Sequence, residues 1–174
     1  MGKDKNYHMD SHLNQPAGES FWVLGDLYNF KVTGKQTNGA LTIIHQIIQP
    51  QSGPPPHIHH REDEAFYVLE GKFTFLNGDN EQTLETGAFV YIPKGTIHTF
   101  KNIDTKPGKL MVIITPAGLE DFFYSIGTPA IEKIPPPVDP VDINMLMQLA
   151  QSYHMDIIVP EQKQYGGAKC NSGL

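Results

Sequence analysis

The chain has 174 residues, enough for one domain that buries its own core without disulfides. A formal charge of −6, with no run of Lys or Arg, removes the attraction that phosphate backbones and anionic lipid surfaces require, so nucleic acid and membrane are excluded as expected partners. With 39% hydrophobic residues, 16 Gly and 14 Pro, the composition is that of a globular, turn-rich all-β protein rather than a helical one.

The polar lead, residues 1–19, has no apolar leader pattern and is expected to be mobile. No later segment reaches the roughly 18 apolar residues of a membrane span. The only cysteine, Cys170, allows no internal disulfide. These features together read as a cytoplasmic protein.

"FWVLGDLYNFKVTG" alternates, with Tyr28, Phe30 and Val32 on one face, and predicts a strand. "KQTNGA" carries an Asn-Gly turn signal, and "ALTIIHQIIQP" is a β-branched strand closed by Pro50. The runs "AFYVLEG", "KFTFLNG", "QTLETG", "FVYIPKG", "IHTFKN" and "KLMVIITP" follow, each bounded by turn residues. Strands at this spacing, with no helical crossovers between them, predict a sandwich or barrel. Two helices are predicted outside the sheet. One is "GLEDFFYSIG", with Leu119, Phe122, Phe123 and Ile126 at helical spacing before Gly127; the other is "DINMLMQLAQSYHM", built on Ile143, Leu146, Leu149, Ala150 and Tyr153. "IPPPVDPVD" between them reads as a stiff, extended connector.

The chemistry concentrates in "GPPPHIHHREDEAFYVLEG". If "HIHH" is a strand, His57 and His59 share one face while His60 points the other way with Ile58. Phe66 and Val68 form the natural inward pair of the next strand, and the same parity leaves both Glu62 and Glu64 as candidates to face inward. In "GAFVYIPKGTIHTFKN", Pro93 and Gly95 bracket a turn that lets His98 project inward with Phe100. Three imidazoles and one carboxylate in a barrel interior suit one divalent transition metal per chain (Fe, Mn, Ni, Co, Cu or Zn), and the absence of thiolate excludes a Cys-type structural zinc site.

The two stretches resemble the paired motifs of the cupin superfamily. His57, His59, a four-residue gap, Glu64 and then Gly71 match the first motif; Gly87, Pro93, Gly95, His98 and Asn102 match the second. The one departure is Gly53, four positions before His57 where the family often has six. The resemblance selects Glu64 over Glu62. It implies a double-stranded β-helix (jelly-roll, cupin) barrel with one or two short C-terminal helices, and a metal held by His57, His59, Glu64 and His98. The implied organisation is a barrel over residues 20–127, then a C-terminal extension, residues 128–174, with the Pro-rich connector, a helix and a short strand. "GPPPHIHHREDEAFYVLEG" is most similar to the quercetin 2,3-dioxygenase-like branch. That branch implies an aromatic small-molecule substrate, dioxygen as co-substrate and a homodimer. In it, a flavonol's 3-hydroxyl would meet the metal, Glu64 would act as the catalytic base, and the enolate would react with dioxygen, opening the ring and releasing carbon monoxide. The same fold and ligand set also serve isomerases or lyases that use no oxygen, and metal-dependent binding proteins without turnover.

The remaining candidates have plainer readings. His60, Arg61, Glu62 and Asp63 read as a charged turn, His45 as a strand histidine, His8 and His12 as tail residues, and His154 as a helix-end residue. Phe66, Phe75, Phe100, Phe122 and Phe123 read as ordinary core.

Overall fold

The computed structural model describes residues 18–131 and 142–159. Most of the expected mobile lead, the Pro-rich connector and Cys170 lie outside the described residues. The first strands are β1 (Ser20–Val23) and β2 (Asp26–Val32), followed by a helical turn α1 (Gly34–Thr37) and β3 (Thr42–Ile48). Then come β4 (His57–His59), β5 (Asp63–Glu70), β6 (Lys72–Asn77), β7 (Asn80–Glu85), β8 (Phe89–Ile92), β9 (His98–Asn102) and β10 (Gly108–Thr115). The C-terminal elements are α2 (Glu120–Ile126), β11 (Thr128–Pro129), α3 (Ile143–Ser152) and β12 (Met155–Ile157).

The strands form two antiparallel sheets, ordered β11-β1-β2-β3-β10-β5-β8 and β12-β4-β9-β6-β7. Their inner faces enclose the core of a jelly-roll barrel, because each strand alternates buried and outward residues. Phe66, Phe73, Phe75 and Phe100 fill one end with ring centroids 5.4 to 6.3 Å apart, tilted or edge-on. Contacts of this kind contribute about 0.5–1.5 kcal/mol each beyond the area they bury.

Two local readings differ from the structure. The alternating run from Phe21 to Val32 is a hairpin, not one strand. Leu24 and Gly25 both have positive φ, 51° and 91°, which is the two-residue turn that matches strand twist, and Val23 pairs with Asp26 across it. "KQTNGA" is not a turn alone. Thr33 and Gln36 form a capping box around α1, and Asn38 ends it in the left-handed region at φ 55°.

Buried polar side chains tie these pieces together. Asp26 accepts from Gln49 N–H at 2.8 Å and from Ser52 Oγ–H at 2.7 Å, clasping the hairpin to the segment that leads into β4. Glu120 accepts from the Gly34 and Gly118 N–H groups, both at 2.7 Å, and from Thr42 Oγ1–H at 2.6 Å. The Asn102 side chain donates to the carbonyls of Ile48 and Lys106, each at 2.9 Å, and accepts from Asp104 N–H. That satisfied amide explains why the second motif ends in Asn: it locks the end of β9 next to the end of β3.

The C-terminal elements pack on the barrel. Asp142 caps α3 by accepting from the Asn144 and Met145 N–H groups, and Leu146 and Ala150 face inward. β12 adds to the edge of the second sheet, pairing Met155 with His59 and Ile157 with His57. No helix among the described residues is long and apolar enough to cross a membrane.

Candidate metal centre

β4 is only three residues long, and its parity buries His57 and His59 while Ile58 is half-buried. β9 lies beside it, with His98 opposite His57. The turn before β9 is set by Gly95, whose φ of 81° is disfavoured for any residue with a Cβ; its N–H donates to His59 O at 2.7 Å. The turn thus fixes the second motif against the strand carrying the first. Glu64 comes from the other sheet, one residue into β5, opposite Ile92 and Ile114.

The structure brings His57, His59, Glu64 and His98 together, with one ligand-type atom from each lying within 4.8 Å of all the others, and all four residues are buried. Glu64 Oε2 is 2.8 Å from His98 Nε2 and 3.4 Å from His59 Nε2. Bonds of roughly 2.0–2.2 Å would separate neighbouring ligand atoms by about 3–3.5 Å at angles between square and tetrahedral, so these spacings suit a shared cation. Two of the imidazoles are held for that task by their own backbone. His57 Nδ1 sits 2.9 Å from Pro55 O and His98 Nδ1 3.0 Å from Thr96 O, so each Nδ1–H is spoken for and each Nε2 is left for the centre.

Burial, with His98 and His59 nearby, pushes His57 down to about 3, and burial also lowers His59; both stay neutral, the form that ligates. Burial lowers His98 too, but its hydrogen bond to Glu64 more than reverses this and leaves it above the ordinary imidazole value. Burial favours the acid form of Glu64, yet His59, the His98 hydrogen bond and His57 hold it below the usual carboxylate range. A proton shared between His98 and Glu64 sits where a metal would bind, and a cation would compete for the same lone pairs. Donor set and spacing therefore fit a divalent transition metal.

Of the residues read as a charged turn, His60 points outward and its Nε2 lies 2.8 Å from Asp156 Oδ2 on β12. Asp63 Oδ1 accepts from Lys94 N–H. Glu62 corrects that reading: it is 2% exposed. It precedes β5 with the same parity as Glu64, which turns it inward beneath the His59 ring. Its Oε2 is 3.9 Å from His59 Nδ1, and neither atom has a hydrogen-bond partner among the described residues. Burial raises its proton affinity, while Arg61, with Nε 3.7 Å from Oε1, opposes that. The signal was present in the sequence, since parity allowed both Glu62 and Glu64 inside; one reaches the centre and the other stands behind a ligand.

A cavity with about 600 Å³ of empty space, solvent at its open mouth included, is lined by His57, His59 and Glu64 and by Val23 and Leu24 of the β1–β2 hairpin. Phe66, Phe100, Phe122 and Phe123, read as ordinary core, are also its walls, whereas Phe75 is core alone. Leu146 of α3 and Met155 and Ile157 of β12 line it too, so the C-terminal elements contribute to its wall. Tyr28 and Gln46, which sequence reasoning missed as site residues, are the polar side chains of this wall away from the metal cluster.

Residues 44–114, which include all four clustered side chains, match a family model described as the cupin domain. The chain is 33% identical over 122 residues to a quercetin 2,3-dioxygenase of Aspergillus japonicus, a match covering 66% of this chain and 34% of that protein. It is 26% identical over 117 residues to a quercetin 2,3-dioxygenase of Bacillus subtilis (strain 168), covering 67% and 34%. The chain thus spans about a third of the length of each. Among solved structures, an RmlC-like cupin from Shewanella frigidimarina NCIMB 400 superposes with a TM-score of 0.53 at 20% identity, covering 63% of this chain and 91% of that one, which shows the shared fold. Residues 44–114 thus form a cupin domain, and within that superfamily the chain resembles the quercetin 2,3-dioxygenase branch.

Proposed function

We propose that this protein is a metal-dependent dioxygenase acting on a flavonol-like or other phenolic small molecule, with His57, His59, Glu64 and His98 as metal ligands. The observation that carries the proposal is the placement of the buried His/His/Glu/His cluster at one end of a cavity walled by aromatic rings. A bound divalent iron, manganese, nickel, cobalt, copper or zinc ion would supply Lewis acidity toward a substrate oxygen, with coordination positions left beyond the four protein ligands.

The chain's own residues do the rest. Phe66, Phe100, Phe122 and Phe123 bind a flat ring system and exclude water from it. Glu64, ionised and buried, faces the cavity and accepts the proton of a phenolic hydroxyl at a carboxylate oxygen. His98, anchored through Nδ1 to Thr96 O, would present Nε2 to the metal beside Glu64. A homodimer and a cytoplasmic setting belong to the same reading, supported respectively by the resemblance and by the single cysteine.

The test reconstitutes metal-free protein separately with each of the six metals and follows quercetin loss, oxygen uptake and carbon monoxide release. Turnover with at least one metal, abolished in His98→Ala, is expected. Failure of every metal to give oxygen-dependent loss would overturn the dioxygenase reading. Anaerobic conversion of a phenol, or binding without product, would then identify one of the rival cupin activities.

A further inference from the structure

We propose that Gln46, helped by the Tyr28 hydroxyl, is a specificity residue that hydrogen-bonds a polar group on the end of the ligand remote from the metal centre. The observation is an amide oxygen without a partner in an apolar place. Gln46 is 3% exposed, lines the cavity, and its Oε1 has no hydrogen-bond partner among the described residues. Its inward neighbours on β3 are Ile44 and Ile48, both fully buried, so nothing in its own strand requires an amide there. A buried polar atom left unpaired costs about 1–3 kcal/mol, and a side chain retained at that cost points to a partner that arrives from outside the chain.

The register supports a two-ended site. Gln46 lies opposite Tyr28 on β2 and Leu110 on β10, so Tyr28 and Gln46 are adjacent on the inward face. Leu110 in turn pairs with Val68, four residues along β5 from Glu64. At about 3.3 Å per residue, that offset is roughly 13 Å along the strands before side chains reach in from either end. Burial, with the charges of Asp26 and Glu64, holds the Tyr28 phenol protonated, so it always offers an O–H, and the Phe123 ring stacks on it with centroids 5.1 Å apart. A ligand that meets Glu64 with one hydroxyl and spans the aromatic walls would bring its far end to an amide and a phenol. The fitting chemistry is a flat aromatic compound with hydroxyl groups at both ends, for which Gln46 Oε1 is the acceptor.

The proposal rests on the phenolic reading of the site, and the experiment separates the two. Zinc-loaded protein under nitrogen is titrated with quercetin and with 3-hydroxyflavone, which keeps the 3-hydroxyl but lacks the hydroxyls on the other rings. Wild type is expected to favour quercetin about five- to tenfold. Gln46→Leu should erase that preference by weakening quercetin alone, and Tyr28→Phe, which removes one oxygen, should reduce it. A structural role would weaken both ligands together. Ligand-free Gln46→Leu should melt no lower than wild type. An unchanged preference in Gln46→Leu overturns the proposal. If wild type binds neither flavonol, the flavonol reading falls, and Gln46 is tested with 2-naphthol against naphthalene. A preference for the naphthol that Gln46→Leu removes sustains the proposal, and equal or absent binding of the two overturns it.

Discussion

Replacing Glu62 with Ala should weaken metal binding although Glu62 is not among the four clustered side chains. His59 presents Nε2 toward Glu64 and Nδ1 toward Glu62, so when Nε2 ligates, Nδ1 carries the proton and needs an acceptor. The Nδ1 to Oε2 separation is 3.9 Å, and a closure of about 1 Å would make a charge-assisted hydrogen bond. Such a bond is worth about 1.5–3 kcal/mol, which at ~1.4 kcal/mol per decade is about a 10- to 100-fold change in affinity. Metal-free protein should respond in the opposite direction. There Glu62 is a buried carboxylate whose ionisation burial opposes, so Glu62→Ala should melt no lower than wild type and is expected to melt higher. Glu62→Gln, which keeps an oxygen acceptor without the charge, should fall between the two in affinity. The assay is competition against a chromophoric chelator, paired with thermal melts of the metal-free proteins. Zinc affinity of Glu62→Ala within twofold of wild type, or a lower metal-free melting temperature, would refute the reasoning.

Two further expectations test the geometry elsewhere. His57→Ala should reduce metal content sharply because it removes a buried Nε2 donor, while His60→Ala, whose ring faces solvent beside Asp156, should leave it nearly intact; elemental analysis reads both, and the reverse result would mean the β4 register is wrong. Asp26 is raised from 3.8 to about 6 by burial, opposed by its bonds from Gln49 and Ser52, so its folded value lies above its unfolded one. Its contribution to stability is then full below 3.8 and lost as pH rises through 6, ~3 kcal/mol at about 1.36 kcal/mol per pH unit. Urea unfolding of wild type and Asp26→Asn across that range should give curves that converge at low pH and separate above it, with the variant the more stable at neutral pH; parallel curves would falsify the assignment.

The fold was legible because its strands are half-buried and alternate, and because Gly and Pro mark their ends. The centre was legible for a related reason: period-two parity puts His57 and His59 on one face whatever else the chain does. Parity could not rank Glu62 against Glu64, since both turn inward and only the path of β5 past His98 decides which one reaches the centre. The hairpin at Leu24-Gly25 was hidden because Leu24 is a poor advertisement for a positive φ. Gln46 escaped notice because its meaning lies in what its neighbours fail to offer, and a sequence records residues but not missing partners.

The short strand β12 joins the cavity wall to the metal centre. It hydrogen-bonds along β4, with Ile158 N–H donating to Pro56 O at 2.7 Å just beyond its end, and its Met155 and Ile157 side chains form part of the cavity wall. β12 is therefore fastened to the same three-residue strand that carries two of the imidazoles. A substitution that displaces β12 therefore disturbs the cavity wall and the backbone that aims His57 and His59 together.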